Sequence, residues 1–189
     1  NELKIGFLST LSGPAGTIGV EIRDGFNLAV KMAGGKVGGL PTEVVFADDT
    51  LNPEMGKQLA ERLLKRDRVN LMTGIVFSNV MLAVWPTIQQ AKVFYIAPNA
   101  SPTRITGEGC NPYFVSASWP NEGHHEAAGQ YAKSKGYKNV YLIAPNYPAG
   151  KDATTGFKRM YGGTISAEVY TKLNQLDYSA ELAQIRAAK

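Results

Sequence analysis

Apolar and polar positions along the chain change period again and again, and the order of those changes predicts a fold. Short apolar or alternating runs near residues 3–9, 42–47, 69–73, 93–97, 112–116, 138–144 and 164–170 have strand character. Between them lie stretches with the three-to-four-residue step of an amphipathic helix. The first, about 16–33, places Ile18, Ile22, Phe26, Ala29 and Ala33 on one stripe and stops at Gly34-Gly35. The second opens at "LNPEM", with Asn52 as N-cap and Pro53 in the first helical position. It carries a Met55, Leu59, Leu63 stripe and a Glu61–Lys65 pair on its wet face. A third follows Ser78, where Pro86 is expected to kink or shorten it. Further helices are expected at about 122–135 with Asn121 as N-cap, across "GKDATTGFKRMY", and from about Tyr178, with Leu182 and Ile185 facing inward. Strand and helix alternate almost throughout, which predicts an α/β fold with parallel, doubly wound sheets.

The character of the chain shifts near residue 118, in "FVSASWPNEG", where a second α/β unit begins. The expected division is residues 1–118 as a first lobe and 119–189 as the start of a second. Only two strands fall in the latter, too few for a stable sheet alone, so a longer polypeptide or a second chain is expected to complete it. Composition fits an ordinary globular protein: 44% hydrophobic and 19% charged residues in 189. The net charge of +4 is dispersed among 16 acidic residues, without the basic run or aromatic interleaving of a nucleic-acid groove, so no nucleic-acid partner is expected. No apolar run approaches the roughly 20 residues of a membrane span. Because "NELKIGFLST" enters strand character at once, any targeting peptide is expected to have been removed. The single cysteine, Cys110, excludes an internal disulfide and reads as a small buried residue.

In open parallel sheets ligands bind beyond the carboxyl ends of the strands. The segments there are "SGPAG", "ADDT", "GIVFSN", "APNASPT" and "ASWPN", and short hydroxyl and amide side chains recur in them: Ser12, Ser78, Asn79, Asn99 and Ser101. Each alone also reads as a cap or turn former. Together with helix N-termini, such groups can hold a carboxylate without a buried lysine or arginine. Trp119 and Tyr147 offer ring surfaces for an apolar body or for packing. The glycines of "GPAGTIG" are spaced GxxGxxG rather than GxGxxG, with Asp48 too distant to bind a ribose, so a dinucleotide enzyme is a minor alternative. His124 and His125 are adjacent and lack the i, i+4 spacing of a metal pair, and no nucleophile, base and orienting group occur together. No metal, cofactor or catalytic machinery is expected.

The series "SGPAGTIGVEIRDGFNLAV", "FADDTLNPEMGKQLAERLL", "TGIVFSNV", "APNASPTRIT", "PYFVSASWPNEG" and "DYSAELAQIR" resembles, in order and over the whole chain, the periplasmic receptors of the leucine/isoleucine/valine-binding family that serve ABC importers. The resemblance implies a two-lobed receptor of nearly twice this length, closing on its ligand like a jaw, in the periplasm and with importer membrane subunits as partners. It also implies ligand contacts at Ser78, Asn99 and Ser101. Where the family has an aromatic residue near the start of the first helix, this chain has Ile18. The family's acidic ligand residue for an ammonium group is expected beyond Lys189. "SNV" and the "YPAGKD" segment are similar to receptors for aromatic carboxylates, so both a benzoate derivative and a branched-chain amino acid stay open, with the aromatic acid preferred. In this reading Ser78, Ser101 and the N–H groups near Asn79 grip a carboxylate, Ile18, Trp119 and Tyr147 touch its apolar body, and 117–121 is a hinge. The alternative outside transport is the sensing core of a transcription regulator or receptor with the same fold.

Overall fold

A computed structural model describes residues 2 to 188. The elements are β1 (Leu3–Ser9), α1 (Gly16–Met32), β2 (Lys36–Val37), β3 (Leu40–Asp48), α2 (Pro53–Lys65), β4 (Leu71–Thr73), α3 (Ser78–Ala91), β5 (Phe94–Ala97), α4 (Thr103–Thr106), β6 (Phe114–Ser116), α5 (Gly123–Ser134), β7 (Asn139–Pro145), α6 (Pro148–Tyr161), β8 (Thr164–Thr171) and α7 (Ser179–Ala187). They form two compact units that divide between Ser118 and Trp119.

In the first unit six strands lie in the order β2-β3-β1-β4-β5-β6, all parallel except the short β2–β3 hairpin. β1 is central, and Ile5, Phe7 and Leu8 are fully buried because helices cover it on both sides. Phe26 of α1 meets Phe7 on one face. Trp85 of α3 meets Phe114, which stacks on Tyr95, on the other. The register aligns Gly6, Met72, Tyr95 and Phe114 in one row under α2 and α3. The second unit holds a parallel β7–β8 pair, the close α5–α6 packing and α7.

Several local expectations change, and glycine is the common cause. α1 does not bury its Ile18 stripe: Ile18 is 46% exposed, Ala29 and Ala33 are exposed, Ile22 and Phe26 are half-buried, and only Gly16 and Gly19 are buried. A Cβ on Gly19 would lie 1.9 Å from the Thr10 carbonyl oxygen, so the helix approaches the end of β1 along its glycine edge. α2 behaves alike, burying Gly56, Ala60 and Leu63 and leaving Met55 exposed, because Gly56 lets it settle on Val80 and Val84 of α3. α3 runs through Pro86 to Ala91; the proline sits on the exposed side, where water can replace the missing N–H partner.

Asn121 is not the N-cap of α5, which is Glu122; its amide instead donates to Asp152 at 2.9 Å. α7 buries no residue fully, but Leu182, 52% exposed, and half-buried Ile185 both line a cavity against Ile143, Ala144 and Pro145 of β7. Cys110 is exposed, in the loop after α4. The β2 hairpin and the one-turn α4 are too short to leave a periodic trace. Asn52 does cap α2, accepting from the N–H groups of Glu54 and Met55, and Lys65 pairs with Glu61 at 3.2 Å.

Candidate functional site

The strand order places the site. From β1 the chain steps to β3 on one side, then crosses to β4 on the other, so β1 and β4 are neighbours whose following helices lie on opposite faces. Loops that leave two adjacent strands in opposite directions open a crevice beyond their carboxyl ends. Here its walls are residues 10–15, before α1, and 74–77, before α3.

The β4–α3 corner is buried from Met72 to Ser78. Gly74 makes the turn with φ 110°, and a Cβ there would stand 2.7 Å from the Leu8 carbonyl oxygen, so only glycine lets this loop close on β1. The Ile75 N–H donates to the Tyr95 hydroxyl at 2.9 Å, and that ring is fully buried. Burial pushes the Tyr95 phenol far up and keeps it neutral, outweighing the hydrogen bond from Ile75. From the β5–α4 loop, the Asn99 amide donates to the Val76 carbonyl at 2.8 Å and Ala100 N–H to that of Ile75. Two loops are thereby fastened into one platform.

α3 starts on that platform. Its N-cap is Phe77, which supplies no side-chain hydrogen bond, so the expectation that a serine caps this helix gives way: Ser78 is the first helical residue and is buried. Half-buried Asn79 has its Oδ1 shielded from solvent without a hydrogen-bond partner. The N-cap side chain makes no hydrogen bond to the first turn, and the positive end of the helix dipole makes this a favourable place for an anion.

The remaining candidates fall in different settings. Asn99 is exposed while bridging the two loops. Ser101 is fully buried, and its hydroxyl lies 2.8 Å from that of Ser116 at the end of β6. Exposed Ser12 neighbours Asp48 and helps to hold its carboxyl below the ordinary range. Ile18 lies on the first turn of α1 with half its surface open. In the second unit, Trp119 is 65% exposed and packs edge-on to His124. Tyr147 is the N-cap residue of α6; burial, then the negative charge of Asp152, pushes its phenol up. Sequence reasoning missed Tyr95 and Ser116, which fix the loops from beneath. Both sit at alternating strand positions, where a polar group facing inward was the available signal.

Comparison with known proteins decides the family. A family model described as periplasmic binding protein matches residues 2–189. The chain belongs to that family. Its relatives place it among the leucine/isoleucine/valine-binding type: the Leu/Ile/Val-binding protein homolog 6 of Brucella abortus is 28% identical over 188 residues, 97% of this chain and 48% of that protein. An ABC transporter substrate-binding protein from Sphaerobacter thermophilus is 33% identical with a TM-score of 0.88, covering 100% of this chain and 52% of the other. A solute binding protein of an ABC transporter from R. palustris, solved with 4-hydroxybenzoate, is 32% identical with a TM-score of 0.90, again over 100% and 52%. The chain thus spans about half the length of these periplasmic binding proteins. No helix among the described residues is long and apolar enough to cross a membrane.

Proposed function

We propose that this chain forms part of the extracytoplasmic substrate-binding component of an ABC importer, and that it recognises a small carboxylate without transforming it. The observation that carries the reading is the start of α3: a helix N-terminus without a side-chain cap, at the sheet's crossover point, on a platform that two loops and Tyr95 hold rigid. A carboxylate there would accept N–H hydrogen bonds at Ser78 and Asn79, with the Ser78 hydroxyl beside it. Preorganisation matters because an ordered platform loses little entropy when ligand arrives. The likeness to the 4-hydroxybenzoate-bound protein favours an aromatic acid, and the Brucella relative keeps a branched-chain amino acid as the second candidate.

Calorimetric titration of the protein with 4-hydroxybenzoate and isoleucine tests the reading. One of them is expected to bind unchanged, and Ser78→Ala is expected to weaken it by about 1–3 kcal/mol, the cost of removing a buried donor. Absence of heat with both, or chemical conversion of either, would sink the proposal.

A further inference from the structure

The wall of the crevice opposite α3 is the loop from Thr10 to Ala15, and two adjacent carboxylates at the end of β3 hold it. Asp48 Oδ1 accepts from the Leu11 N–H and from the Thr50 N–H, each at 2.9 Å, and neighbouring Ser12 helps to hold that carboxyl below its ordinary range. Asp49 is fully buried; its Oδ1 accepts from the Thr10 hydroxyl at 2.5 Å and from the Leu51 N–H at 2.8 Å, while its own N–H donates to the Ser9 carbonyl. Thr10 is itself fully buried, and its carbonyl is where Gly19 admits α1.

We propose that Asp48 and Asp49 are positioning residues of the binding site, fastening Thr10 and Leu11 so that this wall keeps the shape in which it receives the ligand's carboxylate end. This rests on the binding function proposed above. Two acids beside an anion site would oppose binding if their charge faced the crevice, but here Asp48 Oδ1 and Asp49 Oδ1 accept from the loop's own donors, and Asp49 Oδ2 is buried without a hydrogen-bond partner. For Asp48, burial is outweighed by the donors of Ser12, Leu11 and Thr50, and the carboxyl is held below its ordinary range. For Asp49, burial dominates over Thr10 and Leu51 and pushes the carboxyl up. The loop's polar groups are thereby oriented by hydrogen bonds that no ligand has to supply.

The test compares wild type, Asp48→Ala and Asp48→Asn as full chains. Three readings are taken: calorimetric affinity for 4-hydroxybenzoate and isoleucine, unfolding temperature without ligand, and amide hydrogen exchange at Leu11 and Ser12. Asp48→Ala is expected to raise the dissociation constant of the bound acid about tenfold and to speed exchange at both amides. Asp48→Asn, which retains an acceptor oxygen, is expected to recover most of the affinity. Should Asp48→Ala fail to fold, Thr10→Val removes the hydroxyl held by Asp49 at nearly constant volume, and a loss of about fivefold is expected. Wild-type affinity in a folded Asp48→Ala or Thr10→Val chain, or loosened amides with affinity unchanged, would overturn the inference and leave the binding function standing. Wild type that takes up neither acid overturns both.

Discussion

Both units turn from a parallel strand into a helix at their key corner, and they use different materials to do it. At β4–α3 the backbone is buried, bent by a glycine at positive φ and braced from below by Tyr95 and from the side by Asn99. At β7–α6 the corner is half-exposed: Pro148 opens the helix, the Asn146 N–H donates to the Thr171 carbonyl, and Gly150 presses against the Pro145 carbonyl, where a Cβ would stand at 1.9 Å. The contrast extends through each unit. All the largest fully buried side chains among the described residues, from Tyr95 to Val80 and Val84, belong to the first unit. The second buries mainly Gly129, Ala132, Ala144, Gly150, Thr154, Gly156, Tyr161 and Thr171. The first unit is therefore held by apolar volume. The second depends on close backbone approach, where α5 and α6 meet through Gly129 and Gly156. The proposed binding platform lies in the unit with the deeper core, where its groups stay in place without a ligand to order them.

The sharpest way to break this contrast is to add one methyl group to each unit. Gly129→Ala puts a Cβ 2.3 Å from the Phe157 carbonyl oxygen, a backbone atom that only helix separation can move. Overpacking of this kind costs about 1–3 kcal/mol, and a unit with so little other core is expected to lose its protected amides as a whole. Gly74→Ala meets both a 2.7 Å contact and a φ of 110°, and is expected to cost about 3 kcal/mol. The first unit should survive that loss as a folded body with a displaced β4–α3 corner. Hydrogen exchange read by mass spectrometry separates the two results. Uniform deprotection of the first unit by Gly74→Ala, with the second intact after Gly129→Ala, would reverse the assignment of strengths.

A smaller effect isolates the brace itself. Tyr95→Phe keeps the ring stacked on Phe114 but removes the oxygen that accepts from Ile75, leaving a buried N–H without that partner. The expected loss is about 2 kcal/mol in urea unfolding, with faster exchange at Ile75 and weaker carboxylate binding. Unchanged protection at Ile75 would show that the corner is held by Asn99 and Ala100 alone.

How far the sequence disclosed this arrangement depended on which physical signal each part leaves. The strand-helix alternation was plain in β1, α2 and α3, because burial forces a period onto apolar side chains. The caps at Asn52 and the stop at Gly34-Gly35 were legible from local chemistry. What stayed hidden were contacts made by an absent side chain: Gly19 and Gly56 decide which edge of α1 and α2 packs, and the stripes at Ile18 and Met55 misled for that reason. Of the candidate site, Ser78, Asn79 and Asn99 come together around the β4–α3 platform, because residues just after parallel strands gather at one edge of the sheet. Tyr95, Ser116 and the reach of Asp48 and Asp49 onto the β1–α1 loop depend on tertiary geometry across up to 39 residues, which no local pattern encodes.

The smallest expected difference between the units is their response to acid. In the second, partial desolvation of the exposed His125, then the neighbouring His124, lowers its pKa below the ordinary 6.5. The Lys158 and Tyr170 hydrogen bonds lower that of Glu168 below 4.5. A group whose folded pKa is depressed contributes stability above its unfolded value and loses it as pH falls toward the folded one. Both groups therefore withdraw support in the same direction, His125 beginning below about pH 6.5 and Glu168 below about pH 4.5. In the first unit Asp48 and Asp67 follow that rule from 3.8 downward, but Asp49 opposes them: its raised pKa means that folding is favoured as it takes up a proton. Between pH 6.5 and 4.5 the second unit alone is expected to loosen, seen as faster hydrogen exchange in α5 and α6 after correction for the intrinsic pH dependence of exchange. His125→Phe, which has no proton to take up, should flatten that part of the profile. If the first unit loosens in the same window instead, proton uptake at His125 is not what separates the two.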